Sequence, residues 1–235
     1  MQELMNGALA CLLYLFPVAA VMLTARRFLK IPDELFRKIL HFILLGAYIP
    51  FLFAFETWWI SAGFAASLIV LLYPVLTLAG RIPSFSAFAT ERKKGEFRSS
   101  MILALSVLVV SISVCWGIFG DRMLVLACVY AWGVGDAFAA LVGKRFGRHR
   151  IRLPLADVRK SVEGSAAMFV SSAVTVMVIL LLRGGIGGLG CVVISLSATA
   201  VTTVVEMCTK GGDDTVTCPV AAMLVILPLV KLLGG

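Results

Sequence analysis

The chain has 235 residues, of which 60% are hydrophobic and 14% charged, and its mean hydropathy is +1.01. A soluble domain averages roughly 45–50% apolar and about 25% charged residues, so this balance excludes an ordinary soluble enzyme, a disordered chain and a nucleic-acid-binding module. It calls for a bilayer, and the 21 Lys+Arg against 13 Asp+Glu, a formal +8, make the placement of charge the informative feature.

A membrane-spanning helix takes about 20 mostly apolar residues. In chain order the candidates are roughly 4–24, 39–55, 58–79, 100–119, 123–143, 163–182, 186–206 and 216–233. The first has no basic leader and ends at Arg26-Arg27, which reads as a retained span and not a signal peptide. The second is short and Pro219 and Pro228 interrupt the last, so seven to nine spans satisfy the pattern. Open sheet edges are not tolerated in lipid. The expected fold is therefore all-α: a polytopic integral membrane helical bundle of about eight transmembrane helices, with residues 1–235 as a single transmembrane catalytic domain. Cys11, Cys115, Cys128, Cys191, Cys208 and Cys218 form no C-x-x-C pair and read as small buried hydrophobes.

Eight spans place alternate connections on alternate sides. One side then collects Arg26, Arg27, Lys30, Arg37 and Lys38, five cations from Arg81 to Arg98, seven from Lys144 to Lys160, and Lys210. The other collects Arg122, Arg183 and Lys231. By the positive-inside rule the rich side is cytoplasmic and both termini lie outside. The acids follow: Asp33, Glu34, Glu91, Glu96, Asp157, Glu163, Glu206, Asp213 and Asp214 sit at or near the same connections. Orientation does not require them, because the rule concerns Lys and Arg only. A face rich in both signs suits a metal-bound polyphosphate, with cations for phosphate and carboxylates for Mg²⁺. A solvated interface laced with ion pairs is the plainer alternative.

Five groups of residues could carry chemistry. Arg37-Lys38-x-x-His41 enters span two, with Arg37 and Lys38 three or four residues from His41 on one helix face. Glu91-Arg92-Lys93-Lys94-Gly95-Glu96 flanks a basic run with two carboxylates in the third connection. In span five, Asp136 falls seven residues before Gly143, about 10 Å below the expected helix end. An acid at that depth is costly and marks a functional site by default. Beside it Gly135, Ala139 and Gly143 recur every four residues, a small-residue face that lets a helix or a ligand approach closely. Lys144, Arg145 and Arg148 follow, and Lys160-Ser161-Val162-Glu163-Gly164 opens span six, where free N–H groups favour phosphate. Finally Glu206 precedes Gly211-Gly212-Asp213-Asp214, two acids after a glycine pair at the membrane surface. Gly185-Ile186-Gly187-Gly188-Leu189-Gly190 fits a dinucleotide fingerprint, but no strand precedes it and the topology puts it outside.

Taken in order, Arg37-Lys38-x-x-His41, Glu91 to Glu96, Gly135-Asp136-x-x-Ala139 through Gly147, Lys160-Ser161-x-Glu163-Gly164-Ser165, and Glu206 with Asp213-Asp214 and Pro219 resemble the CTP-dependent lipid-alcohol kinases. That group includes dolichol kinase, phytol and farnesol kinases and the yeast-type diacylglycerol kinase. The block 135–165 also looks like CDP-diacylglycerol synthase. Thr215 departs from the Asn those kinases carry.

The resemblance implies transfer of the γ-phosphate of CTP to the hydroxyl of a membrane lipid alcohol, with Mg²⁺ as cofactor. The partners implied are that alcohol, a nucleoside triphosphate and the bilayer, without nucleic acid, and a homodimer is compatible with the pattern. Lys144, Arg145, Arg148 and Lys160 would hold the triphosphate, with Ser161 and Gly164 at the helix opening. Asp136, Glu163, Glu206 and Asp213 or Asp214 would bind Mg²⁺ or accept the lipid hydroxyl proton. Arg37, Lys38 and His41, with Glu91 and Glu96, would handle the acceptor or the transferred phosphate. The alternatives are a CTP:phosphatidate cytidylyltransferase, which attacks the α-phosphate, and a transporter.

Overall fold

The computed structural model describes residues 1–29, 31–82, 85, 95–151, 160–209 and 212–234, without the side chains of Leu23 and Glu34. Among them are α1 (Gln2–Phe28), α2 (Asp33–Phe53), α3 (Trp58–Ala79), α4 (Glu96–Ser111) continued by a π-helical stretch (Ile112–Ile118), α5 (Arg122–Phe146), α6 (Val162–Arg183), α7 (Gly188–Cys208) and α8 (Asp214–Leu232). The described residues contain no strand, and eight helices are long and apolar enough to cross a membrane. The chain is a multi-pass membrane protein of the all-α class, as its hydropathy requires.

Several helices outrun their apolar stretches. α2 starts at Asp33, so its first two turns carry Arg37 and Lys38. α5 ends at Phe146 and not at Gly143, with Lys144 and Arg145 in its last turn, where cations complement the negative end of the helix dipole. Asp136 therefore lies ten residues before the end of α5, roughly 15 Å along the axis. Hydropathy marks only the part of a helix inside hydrocarbon, whereas the hydrogen-bond ladder continues into the interface.

The chain divides into two compact units, Met1–Ser113 and Val114–Gly235. In the first, Glu3 supplies the cap that Thr57 does not give its own helix. Its carboxylate accepts the N–H groups of Glu56 at 3.0 Å and Thr57 at 2.8 Å and the Thr57 hydroxyl at 3.1 Å. The Tyr14 hydroxyl donates to the Ile43 carbonyl at 2.9 Å, and Tyr48 donates to Ala104 at 3.3 Å, tying α2 to α1 and α4. Phe51, Phe55 and Phe64 cluster with ring centroids 5.6 to 6.5 Å apart.

In the second unit α5 and α6 are antiparallel and closely packed. The Gly135-Ala139-Gly143 stripe is the reason. A Cβ on Gly135 would run into Ser172 and Met168 of α6, and one on Gly164 would lie 2.8 Å from the Ala139 carbonyl oxygen. Small residues let the two backbones meet where the membrane offers no hydrophobic drive of its own. Of the two occupants the sequence allowed for this face, helix or ligand, α6 takes it. Ser172 seals the crossing by donating to the Ala131 carbonyl. At the far end of the pair, Asp121 caps α5 by accepting from Met123 N–H at 2.8 Å and forms an ion pair with Arg183. On α7 the buried hydroxyls of Thr199 and Thr202 donate to the carbonyls of Ser195 and Ala198, at 2.7 and 2.6 Å. A hydroxyl in apolar surroundings finds the carbonyl one turn back.

Candidate active site

The antiparallel order of α5 to α8 brings the end of α5, the start of α6, the end of α7 and the start of α8 to one end of the second unit. Lys160, just ahead of α6, crosses to α7. Its ammonium lies 2.9 Å from a carboxylate oxygen of Glu206, and it donates to the main-chain carbonyls of Glu206 and, at 2.8 Å, Thr209. An ammonium has three donors, and all three have acceptors inside the protein. It therefore neutralises a carboxylate that is 9% exposed and also caps the last carbonyls of α7.

Asp136 of α5 and Asp214 of α8 lie within electrostatic range of Glu206. Two acids from two other helices thus lie near the carboxylate that Lys160 neutralises. The Trp132 indole N–H donates to Asp214 Oδ2 at 3.3 Å. Trp132 is buried against Met168 of α6 and Cys218 of α8, with Ala139 and Val205 packed around them. Asp213 is exposed, and its carboxylate makes no cap to α8.

The α5–α6 connection is pinned at its base. The Ile151 N–H donates to the Lys160 carbonyl at 3.1 Å and the Val162 N–H to the His149 carbonyl at 2.9 Å, an isolated antiparallel bridge. Glu163 adds a second tie: its carboxylate accepts the His149 N–H at 3.2 Å and lies 2.7 Å from His149 Nδ1. Ser161 caps α6 by accepting from the Gly164 N–H at 3.2 Å, and its hydroxyl is packed against Gly143 and Gly147. Ser161 and Gly164 thus build the α5–α6 junction. Lys144, Arg145 and Arg148 are exposed around it.

The remaining sequence candidates fall in the first unit or outside the described residues. Arg37 and Glu96 approach to 3.9 Å, and Lys38 and His41 are half-buried within the first three turns of α2. Glu91 lies outside the described residues, as does Gly211. Among the described residues, no three His, Cys, Asp or Glu side chains stand close enough to hold a metal ion by themselves. Sequence reasoning missed Trp132, His149 and Thr209. Trp132 had a usable signal, since it precedes Asp136 by one helical turn. His149 and Thr209 had none, because their roles depend on how the two connections fold back.

The chain is similar to a phytol kinase of Synechocystis sp., 31% identical over 224 residues that cover 88% of this chain and 86% of that one. The chain belongs to the phytol kinase family. A probable chloroplastic phytol kinase of Triticum aestivum is 30% identical over 221 residues, 86% of this chain and 69% of the relative. Membership makes the chain a lipid-alcohol kinase, an enzyme that phosphorylates a hydroxyl. Neither relative is a CDP-diacylglycerol synthase. No family model and no solved structure matches the chain.

Proposed function

We propose that the chain transfers the γ-phosphate of CTP to the hydroxyl of phytol or a related polyprenyl alcohol, with Mg²⁺, on the cytoplasmic face of its membrane. One observation carries this reading. Asp136 and Asp214 lie within electrostatic range of Glu206, which Lys160 neutralises, at the end of the second unit where Lys144, Arg145 and Arg148 are exposed. Phosphoryl transfer is mostly positioning plus electrostatic stabilisation, and this arrangement offers both.

The donor set fits a magnesium ion. Mg²⁺ takes one or two carboxylates and completes its shell with substrate phosphates and water, so a ready-made three-acid cage is not needed. Asp136 and Asp214 would hold the ion with the triphosphate, and the ion supplies neutralisation of the phosphate charge. Lys144 and Arg145 in the exposed last turn of α5, and Arg148 just beyond it, bind the phosphates. Lys160 acts through Glu206, neutralising that acid beside Asp136 and Asp214. Glu163 holds His149 and with it the base of the connection. Asp136 or Asp214 would accept the hydroxyl proton. Asp213 is a further oxygen donor beside them. The roles of Arg37, Lys38, His41, Glu91 and Glu96 in handling the acceptor are proposed on the resemblance alone; external termini are proposed on the one-sided Lys and Arg distribution, and a single catalytic domain over 1–235 on the chain's length.

The test is incubation of the purified protein with CTP or ATP, Mg²⁺ and a panel of phytol, farnesol, a longer polyprenol and diacylglycerol. CDP and a prenyl monophosphate support the proposal. Release of pyrophosphate, or consumption of ATP in preference to CTP, contradicts it.

A further inference from the structure

We propose that Trp132 is a positioning residue that sets the carboxylate of Asp214 for phosphoryl transfer. The inference rests on the kinase reading above and adds to it a residue that the sequence motifs do not include. Asp214 stands in the first turn of α8, where an acid ordinarily faces the free N–H groups of its own helix. Its Oδ2 also receives the indole N–H of Trp132 from another helix at 3.3 Å.

The donor is itself fixed. Trp132 is buried, and its ring is packed by Met168 and Cys218 on two neighbouring helices. A buried indole N–H seeks an acceptor, and a ring packed into the core has little freedom to turn its single donor. Trp132 and Asp136 are four residues apart on α5 and share a face. One helix therefore carries one acid and holds the other. Rotation of Asp214 by a rotamer would move its oxygens by more than an ångström, enough to spoil a near-attack geometry.

Trp132→Phe removes the N–H and keeps an aromatic ring, and two measurements on the full chain in detergent micelles test the proposal. The first is kinetic, with CTP and phytol. The expected result is a kcat lowered about tenfold or more, the range for losing a hydrogen bond to a charged group. KM for both substrates should stay within about twofold, the pattern of an interaction that matters in the transition state. In the Asp214→Asn background the same substitution should cost nothing further. A wild-type kcat in Trp132→Phe, or losses that multiply in the double variant, overturns the proposal. The second needs no activity: the indole N–H resonance of Trp132 should shift on Asp214→Asn, and an unmoved resonance overturns the contact. Wild-type protein that phosphorylates no alcohol would refute the kinase reading instead, while the resonance still decides whether Trp132 holds Asp214.

Discussion

Lys160→Met probes the pair on which the site is built. Lys160 and Glu206 side chains are 17% and 9% exposed, and the ammonium also caps the last carbonyls of α7. Removing one partner of a buried pair leaves an uncompensated charge and costs about 3–5 kcal/mol. The residual exposure of Lys160 points to the lower end, about 3 kcal/mol. At roughly 2–4 °C per kcal/mol for a chain of this size, thermal unfolding in detergent should fall by about 6–12 °C. Glu206→Gln in the Lys160→Met background removes the stranded charge and should restore most of the loss. The two substitutions should therefore be strongly non-additive, with a coupling of about 2 kcal/mol, within the range for residues in contact. Two single losses that simply add would refute the reasoning, and so would a Lys160→Met variant as stable as wild type. The kinetic counterpart is that KM for nucleotide changes less than kcat, because no donor of Lys160 is left for phosphate.

Asp136→Asn should abolish turnover while the protein inserts and unfolds at the wild-type temperature, and wild-type activity in that variant would remove Asp136 from the mechanism. Gly164→Ala places a Cβ 2.8 Å from the Ala139 carbonyl oxygen, so the α5–α6 crossing must widen at a cost of about 1–3 kcal/mol, read as a lowered unfolding temperature. Arg148→Ala should raise KM for nucleotide by about tenfold or more, as expected for a lost charge-assisted contact, with stability unchanged because the side chain is exposed. An unaltered KM would move phosphate binding to Lys144 and Arg145.

Hydropathy made the eight spans legible because each span must satisfy its own backbone in lipid, and that demand leaves a composition no other element shares. The Gly135-Ala139-Gly143 stripe was legible for a similar reason: a four-residue repeat of small side chains has few uses besides close helix contact. Asp136, Glu206 and Asp214 stood out as acids in or beside apolar runs. The pairings among them did not. Lys160 reads from sequence as a phosphate ligand at a helix opening, yet its partners are 46 and 49 residues away. Glu163 reads as a metal ligand near Asp136 but faces His149 across a bridge formed by the ends of the connection. Such contacts depend on where α6 and α7 place their ends, which no local pattern encodes. Helix ends were missed for a simpler reason, since charged turns such as Lys144-Arg145 continue a helix that hydropathy no longer sees.

The central claim is phosphoryl transfer from CTP to a prenyl hydroxyl. Its most direct measurement is product analysis after incubation of the purified protein with γ-³²P-labelled CTP, Mg²⁺ and phytol. The account predicts that the label appears in a lipid-soluble monophosphate, that CDP accumulates in equal amount and that Asp136→Asn yields neither. Label released as pyrophosphate, or lipid that remains unlabelled while wild-type protein is folded, would contradict it.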